Sequence, residues 1–264
     1  MKGRFVLAFL VAGTAAVLIG PAGAALSLGS EPGYRATAVV GGREITAVPG
    51  TVIATGVPTG TGCRFDVPVE ISGQAPDNGG AAAMEIRTHV NDTCPFVVVS
   101  VTPLTNPPQP PPAPASPDLP TTAVGAATTA SGVRPAATTV VNHYGWAKHR
   151  VEEYVNIPVT YTYVEMKYKR DGSKVYGGSG GYCQPWNDGM GWTVTLEACN
   201  WDPNGPTAVF IYGRYHFSSW IPPQPSYSLS ARFTADPGAR FTCAVYSGTI
   251  PLGWGHICSG GLYY

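Results

Sequence analysis

Four tryptophans sit among turn-forming residues: Gln184-Pro185-Trp186-Asn187-Asp188-Gly189, Asn200-Trp201-Asp202-Pro203-Asn204-Gly205, Ser219-Trp220-Ile221-Pro222-Pro223 and Leu252-Gly253-Trp254-Gly255. Loops run over protein surfaces and carry recognition. A flat indole there can stack on the apolar face of a sugar ring, while a neighbouring amide or carboxylate takes its hydroxyls. The candidate ligand-binding set is therefore Trp186, Asn187, Asp188, Trp201, Asp202, Trp220 and Trp254. The same rings can instead fold back as lids over the ends of a β sandwich, and the sequence leaves both readings open.

Catalytic chemistry has less to stand on. Gly178-Ser179-Gly180-Gly181 presents a glycine-flanked serine of the kind trypsin-like proteases use. Those enzymes also need a histidine base far upstream, oriented by an aspartate. Here the nearest upstream histidines, His143 and His149, lie only 36 and 30 residues before Ser179. A glycosidase needs two carboxylates across the scissile bond. Glu165, Asp188, Glu197 and Asp202 have the right chemistry. However, Glu165 shares a strand face with Lys167 and Lys169, which reads as an ion-paired, solvated surface. No catalytic residue is assigned, and the balance favours a protein that is not an enzyme.

No cofactor and no metal site is expected. The histidines lack ligand spacing, and Asp188-Gly189 and Asp202-Pro203-Asn204-Gly205 read as ordinary turns rather than calcium loops. The basic residues Lys167, Lys169, Arg170 and Lys174 read as charges that deter edge-to-edge strand pairing.

These residues must be held by strands. Residues 106–141 hold nine prolines in 36 positions, with no aromatic residue and only Asp118 and Arg134 charged. Such a segment buries too little apolar surface to offset its ordering entropy and is expected to be an extended tether. It divides the chain into a small β module at 33–105 and an aromatic-rich β module at 142–264. The expected fold is all-β: two disulfide-stapled antiparallel modules, the second sandwich- or barrel-like. That second module carries all six tryptophans and 13 of the 14 tyrosines.

Within it, Val155–Arg170 ends at Asp171-Gly172, a hairpin signal. Trp192-Thr193-Val194-Thr195-Leu196-Glu197-Ala198 alternates, which turns Trp192, Val194, Leu196 and Ala198 inward and Glu197 outward. A short helix is expected over 143–154, because Ala147, Val151 and Val155 recur at spacing four. In the first module, His89 falls on the polar face of the alternating run Met84–Val90.

Lys2 and Arg4, the apolar run Phe5–Ile19 and Ala22-Gly23-Ala24 together have the form of a secretory signal peptide over 1–24. Its 15-residue run is short for a membrane span, so no integral membrane segment is expected in the mature chain, which would be secreted. Losing Lys2 and Arg4 takes the basic count from 16 to 14 against 16 acids, a net charge of −2. That balance gives nucleic acid no basic footprint.

Six cysteines agree with export. The tether separates Cys63 and Cys94 from Cys183, Cys199, Cys243 and Cys258. Cys63–Cys94 follows if each module closes on itself. Spacing favours Cys183–Cys199 and Cys243–Cys258, each spanning about one hairpin.

The functional expectation is non-catalytic binding of a cell-surface or extracellular polymer, such as a polysaccharide or cell-wall polymer, through the second module. The alternatives are a secreted polysaccharide hydrolase and a self-associating structural envelope protein. The sequence does not set the oligomeric state.

Overall fold

The computed structural model describes residues 33–76, 82–105, 141–153, 157–171, 174–189, 191–202, 208–220, 226–236 and 238–263. The expected signal peptide and almost all of the expected tether lie outside these residues. Eight strands precede the tether: β1 (Arg35–Val40), β2 (Arg43–Thr46), β3 (Val52–Thr55), β4 (Val57–Thr59), β5 (Gly62–Arg64), β6 (Val69–Ala75), β7 (Ala82–Val90) and β8 (Pro95–Leu104). Eight mostly longer ones follow: β9 (Val141–Glu153), β10 (Ile157–Asp171), β11 (Lys174–Asn187), β12 (Trp192–Asp202), β13 (Val209–Ser219), β14 (Tyr227–Asp236), β15 (Gly238–Ile250) and β16 (Gly255–Tyr263).

Every pairing is antiparallel, and the strands form two sheets. Sheet A runs β12-β13-β14-β15-β6-β1-β2, with β5 also on β15 and β4 on β5. Sheet B runs β11-β10-β9-β16-β7-β8-β3. The chain is thus all-β, as its composition implies, but residues 33–105 and 142–264 do not close separately. β6 pairs with β15 in sheet A, and β7 pairs with β16 in sheet B, so both segments build both sheets. The strands of 33–105 are mostly short and divided between two sheets, and the strands beyond the tether complete both sheets.

The sheets pack face to face, with β9 against β14 and β10 against β13. One core runs through the interface, from Ile71, Ile86 and Phe96 to Phe217, Phe233 and Phe241. Glycines make room for the largest rings. A Cβ on Gly145 would fall 1.9 Å from the Phe233 ring, and one on Gly73 would fall 2.1 Å from Phe241. Both positions are therefore occupied by aromatic rings packed directly onto bare backbone.

All three expected disulfides are present: Cys63–Cys94, Cys183–Cys199 and Cys243–Cys258. The last two do not clamp hairpins. Cys183–Cys199 joins β11 of sheet B to β12 of sheet A, and Cys243–Cys258 joins β15 of sheet A to β16 of sheet B. Each therefore rivets the two layers, and each contributes about 3 kcal/mol in the chain-entropy model.

Two local expectations change. Residues 143–153 lie in β9 rather than a helix. Spacing four places residues on one side of a strand as well as of a helix, because four is a multiple of the strand's period of two. Leu196 is 56% exposed although it pairs with buried Tyr215, and the register shifts just after it, between Leu196 and Ala198, where β12 pairs with β13. The bulge reverses the strand beyond it, so that Ala198 pairs with outward Arg214 while Cys199 and Trp201 turn toward β11.

Candidate functional site: the aromatic face of sheet B

The sequence-derived tryptophans do not form one platform. Trp186 stands near the end of β11, 37% exposed, with its ring stacked on Tyr161 at 5.3 Å. Asn187 and Asp188 follow in a tight turn: Asn187 Oδ1 accepts from Gly189 N–H at 2.8 Å, and Asp188 N–H donates to Val159 O at 3.1 Å. Trp220, 75% exposed, joins this corner through its backbone N–H, which donates to Gly191 O at 3.1 Å.

Trp201 lies nine residues along β12 from Trp192, about 30 Å at the strand rise. It packs over Gly181 of β11, closing the open edge between the layers, with Asp202 beside it at the strand end. Trp254 is 4% exposed and packs with Trp192 and Tyr227 at 6.2 and 6.1 Å. It is a core residue, not a loop platform. Its Gly-rich surroundings mark a turn that folds back over the sandwich end.

The outer face of sheet B holds what the loop tryptophans alone do not. On β10, Tyr161, Tyr163, Glu165 and Lys167 point outward together; on β9, Tyr144, Trp146, Lys148, Arg150 and Glu152 do the same. Register aligns them into rows across the sheet. One row reads Tyr182, Glu165, Trp146, Gly261, Ala83, Leu104. The small Gly261 and Ala83 leave space beside the Trp146 indole, which is 2% exposed although it lies on an outer face. Its Nε1–H is buried without an acceptor among the described residues.

Glu165 is the polar centre of this face. It is 8% exposed and takes a hydrogen bond from Tyr163 Oη at 2.6 Å and another from Tyr182 Oη at 3.3 Å. Tyr263 also hydrogen-bonds to it. The carboxylate is therefore not a solvated partner of Lys167 and Lys169 but the acceptor for three phenols. Burial first, and the Glu165 charge beside it, push Tyr182 up to about 12; Tyr163 and Tyr263 are pushed higher still.

Around this centre the rings pair. Trp146 lies 6.3 Å from Tyr163, and Tyr144 stacks on Tyr263 at 5.1 Å. Lys148 Nζ sits 4.0 Å over the Tyr161 ring. Burial, with the nearby Arg150 charge, brings the Lys148 amine down to about 8, against the opposing pull of Glu85 and Glu152. Beyond it, Glu152 takes Arg150 Nη2 at 2.7 Å and Arg87 Nη1 at 3.4 Å.

This face offers ring surfaces for stacking, phenol oxygens held in fixed directions as acceptors, and the Lys148 amine as a donor. The alternation Tyr161-x-Tyr163-x-Glu165 is plain in the sequence. Its partner Tyr144-x-Trp146-x-Lys148 was obscured by the helical reading of 143–154.

Glu197 belongs to a separate polar group on the outer face of sheet A. It pairs with Arg214 and accepts from Ser228 Oγ at 3.1 Å, while Ser228 Oγ lies 3.0 Å from His216 Nδ1. The serine stands between the acid and the histidine, so the acid cannot orient the imidazole as a base. Ser228 is also 1% exposed. Among the described residues, no three His, Cys, Asp or Glu side chains are placed to share a metal ion.

Comparison with protein-family models, with curated proteins and with solved structures finds no significant match to this chain.

Proposed function

We propose that this chain is an exported, non-catalytic binding protein that engages a polysaccharide through the aromatic face of sheet B. One observation carries the reading: the stacked pair Trp186–Tyr161 borders a field of buried and half-buried rings arranged about Glu165 and Lys148. Exposed ring faces suit the apolar sides of sugar rings, and the fixed hydroxyls and the amine suit their polar edges. Three disulfides fit an oxidising compartment.

The hydrolase alternative is less favoured by spacing. By register, Glu152 lies about 20 Å and Glu85 about 16 Å from Glu165. A glycosidase places its two carboxyls roughly 5–9.5 Å apart. Glu85 and Glu152 are the other carboxylates on this face whose side chains are described.

The test uses the oxidised chain from Ala25 onward, since residues 142–264 share both sheets with 33–105. Retention on purified cell wall, chitin and cellulose is compared for the wild type, Trp186→Ala, Tyr161→Ala and Trp201→Ala. Loss of about tenfold, the equivalent of 1.4 kcal/mol, is expected for each of the first two variants, with Trp201→Ala unchanged. No retention of the wild type on any polymer would sink the reading. So would equal retention of all three variants.

A further inference from the structure

The opposite outer face, on sheet A, carries a second feature. Between β2, β1, β6 and β15 lies a depression of about 320 Å³ lined by Arg35, Thr37, Glu44, Ser72, Gln74 and Arg240. Register explains its shape. Arg35 and Arg240 both stand directly opposite Gln74, one on each side, so their Cα atoms are about 10 Å apart across three strands. The adjacent row is short: Thr37, Ser72 and Thr242, with Ser72 Oγ and Thr242 Oγ1 2.9 Å apart. Long side chains therefore wall a floor of small hydroxyls, and Glu44 stands opposite Val39 at the rim.

We infer that this depression binds the carboxylate of an acidic sugar unit. Guanidinium groups are planar forks that match a carboxylate with two parallel hydrogen bonds, and here two of them flank one recess. Gln74, Thr37, Ser72 and Glu44 supply acceptors for ligand hydroxyls. Inorganic phosphate carries up to two negative charges near neutral pH, against one for a uronate, and would meet more repulsion from Glu44. A dense polyanion would meet the same repulsion. The volume lies at the small end of the roughly 300–1,000 Å³ typical of ligand pockets and has room for a mono- or disaccharide. The site is separate from the aromatic face and does not depend on it.

Calorimetric titration of the oxidised chain tests the inference with digalacturonate and cellobiouronate, their neutral counterparts galactobiose and cellobiose, and inorganic phosphate. Saturable binding of at least one acidic disaccharide is expected, with its neutral counterpart at least tenfold weaker. Arg35→Ala and Arg240→Ala should each weaken it at least tenfold; both side chains are exposed, so the fold should be retained, which circular dichroism checks. Trp186→Ala should leave it unchanged, which separates this site from the aromatic face. The inference is overturned if neither acidic disaccharide binds, if the double arginine variant binds as well as wild type, or if phosphate or the neutral sugar binds as tightly.

Discussion

His149 Nε2 lies 3.2 Å from His256 Nδ1, and both rings are sealed between the two sheets. His149 Nδ1 faces the Ser230 carbonyl at 3.3 Å, so that nitrogen carries the proton and donates. His149 Nε2 is then the acceptor for His256 Nδ1–H. This leaves His256 Nε2 as a bare, buried nitrogen without a partner among the described residues, beside the Phe96 ring. The pair is neutral, and a proton added at His256 Nε2 would be buried without an acceptor among the described residues.

Acid should therefore loosen the sandwich. Burial brings His149 down to about 4 and His256 well below its ordinary value, the latter also through His149 and His89. Between about pH 6.5 and 4 the unfolded histidines take up protons that the folded ones refuse. Stability is complete above about pH 6.5 and falls as the pH drops through that window, by about 3 kcal/mol for His149 alone. Urea midpoints from pH 7.5 to 4.5 check this. A flat profile would contradict it, and His256→Phe, which keeps a ring against Phe96, should make the acid limb shallower.

The disulfides should open in a fixed order. Cys199 is exposed and Cys183 half-buried, whereas Cys63, Cys94, Cys243 and Cys258 are each 0% exposed. A thiolate must reach a sulfur to exchange with it. Limited dithiothreitol followed by alkylation and peptide mass mapping should label Cys183 and Cys199 first, with the other pairs labelled only on unfolding. Early labelling of Cys243 or Cys258 would mean that the layers part more readily than their packing implies.

Glu165→Gln should release the phenols around it. Its charge is one reason that Tyr182 stands at about 12, burial being the larger. The amide still accepts a hydrogen bond but removes the repulsion of a phenolate, so Tyr182 should move partway toward its ordinary value of about 10. An ultraviolet difference titration reads this directly, and an unchanged alkaline profile would refute the charge coupling. Because these folded values are raised, the unfolded tyrosines lose protons first. Stability should thus fall as the pH rises above about 10.

Much of this was legible in the chain. Turn residues between β-rich runs marked the all-β class; spacing favoured the pairs Cys183–Cys199 and Cys243–Cys258 that form, while Cys63–Cys94 forms although its segment does not close on itself. The Met84–Val90 alternation put His89 on an outer face, where its Nδ1 meets Asn91 Oδ1 at 2.7 Å. Trp254 and Glu165 were not legible, because a loop-like or charge-like neighbourhood in sequence says nothing of what another strand lays over it. Ala198 was misplaced by a one-residue bulge just before it, which reverses every side chain beyond.

The sequence by itself determined the all-β class, the cysteines available to pair and the alternation along regular strands such as Met84–Val90, because these depend on local periodicity and composition. Only the tertiary structure decided that residues 33–105 and 142–264 share both sheets, that two disulfides cross between layers, and that Tyr163, Tyr182 and Tyr263 converge on Glu165. Each of these depends on which strands become neighbours and in what register. Strand order is settled by burial of apolar faces over the whole domain, a long-range condition that no local pattern encodes.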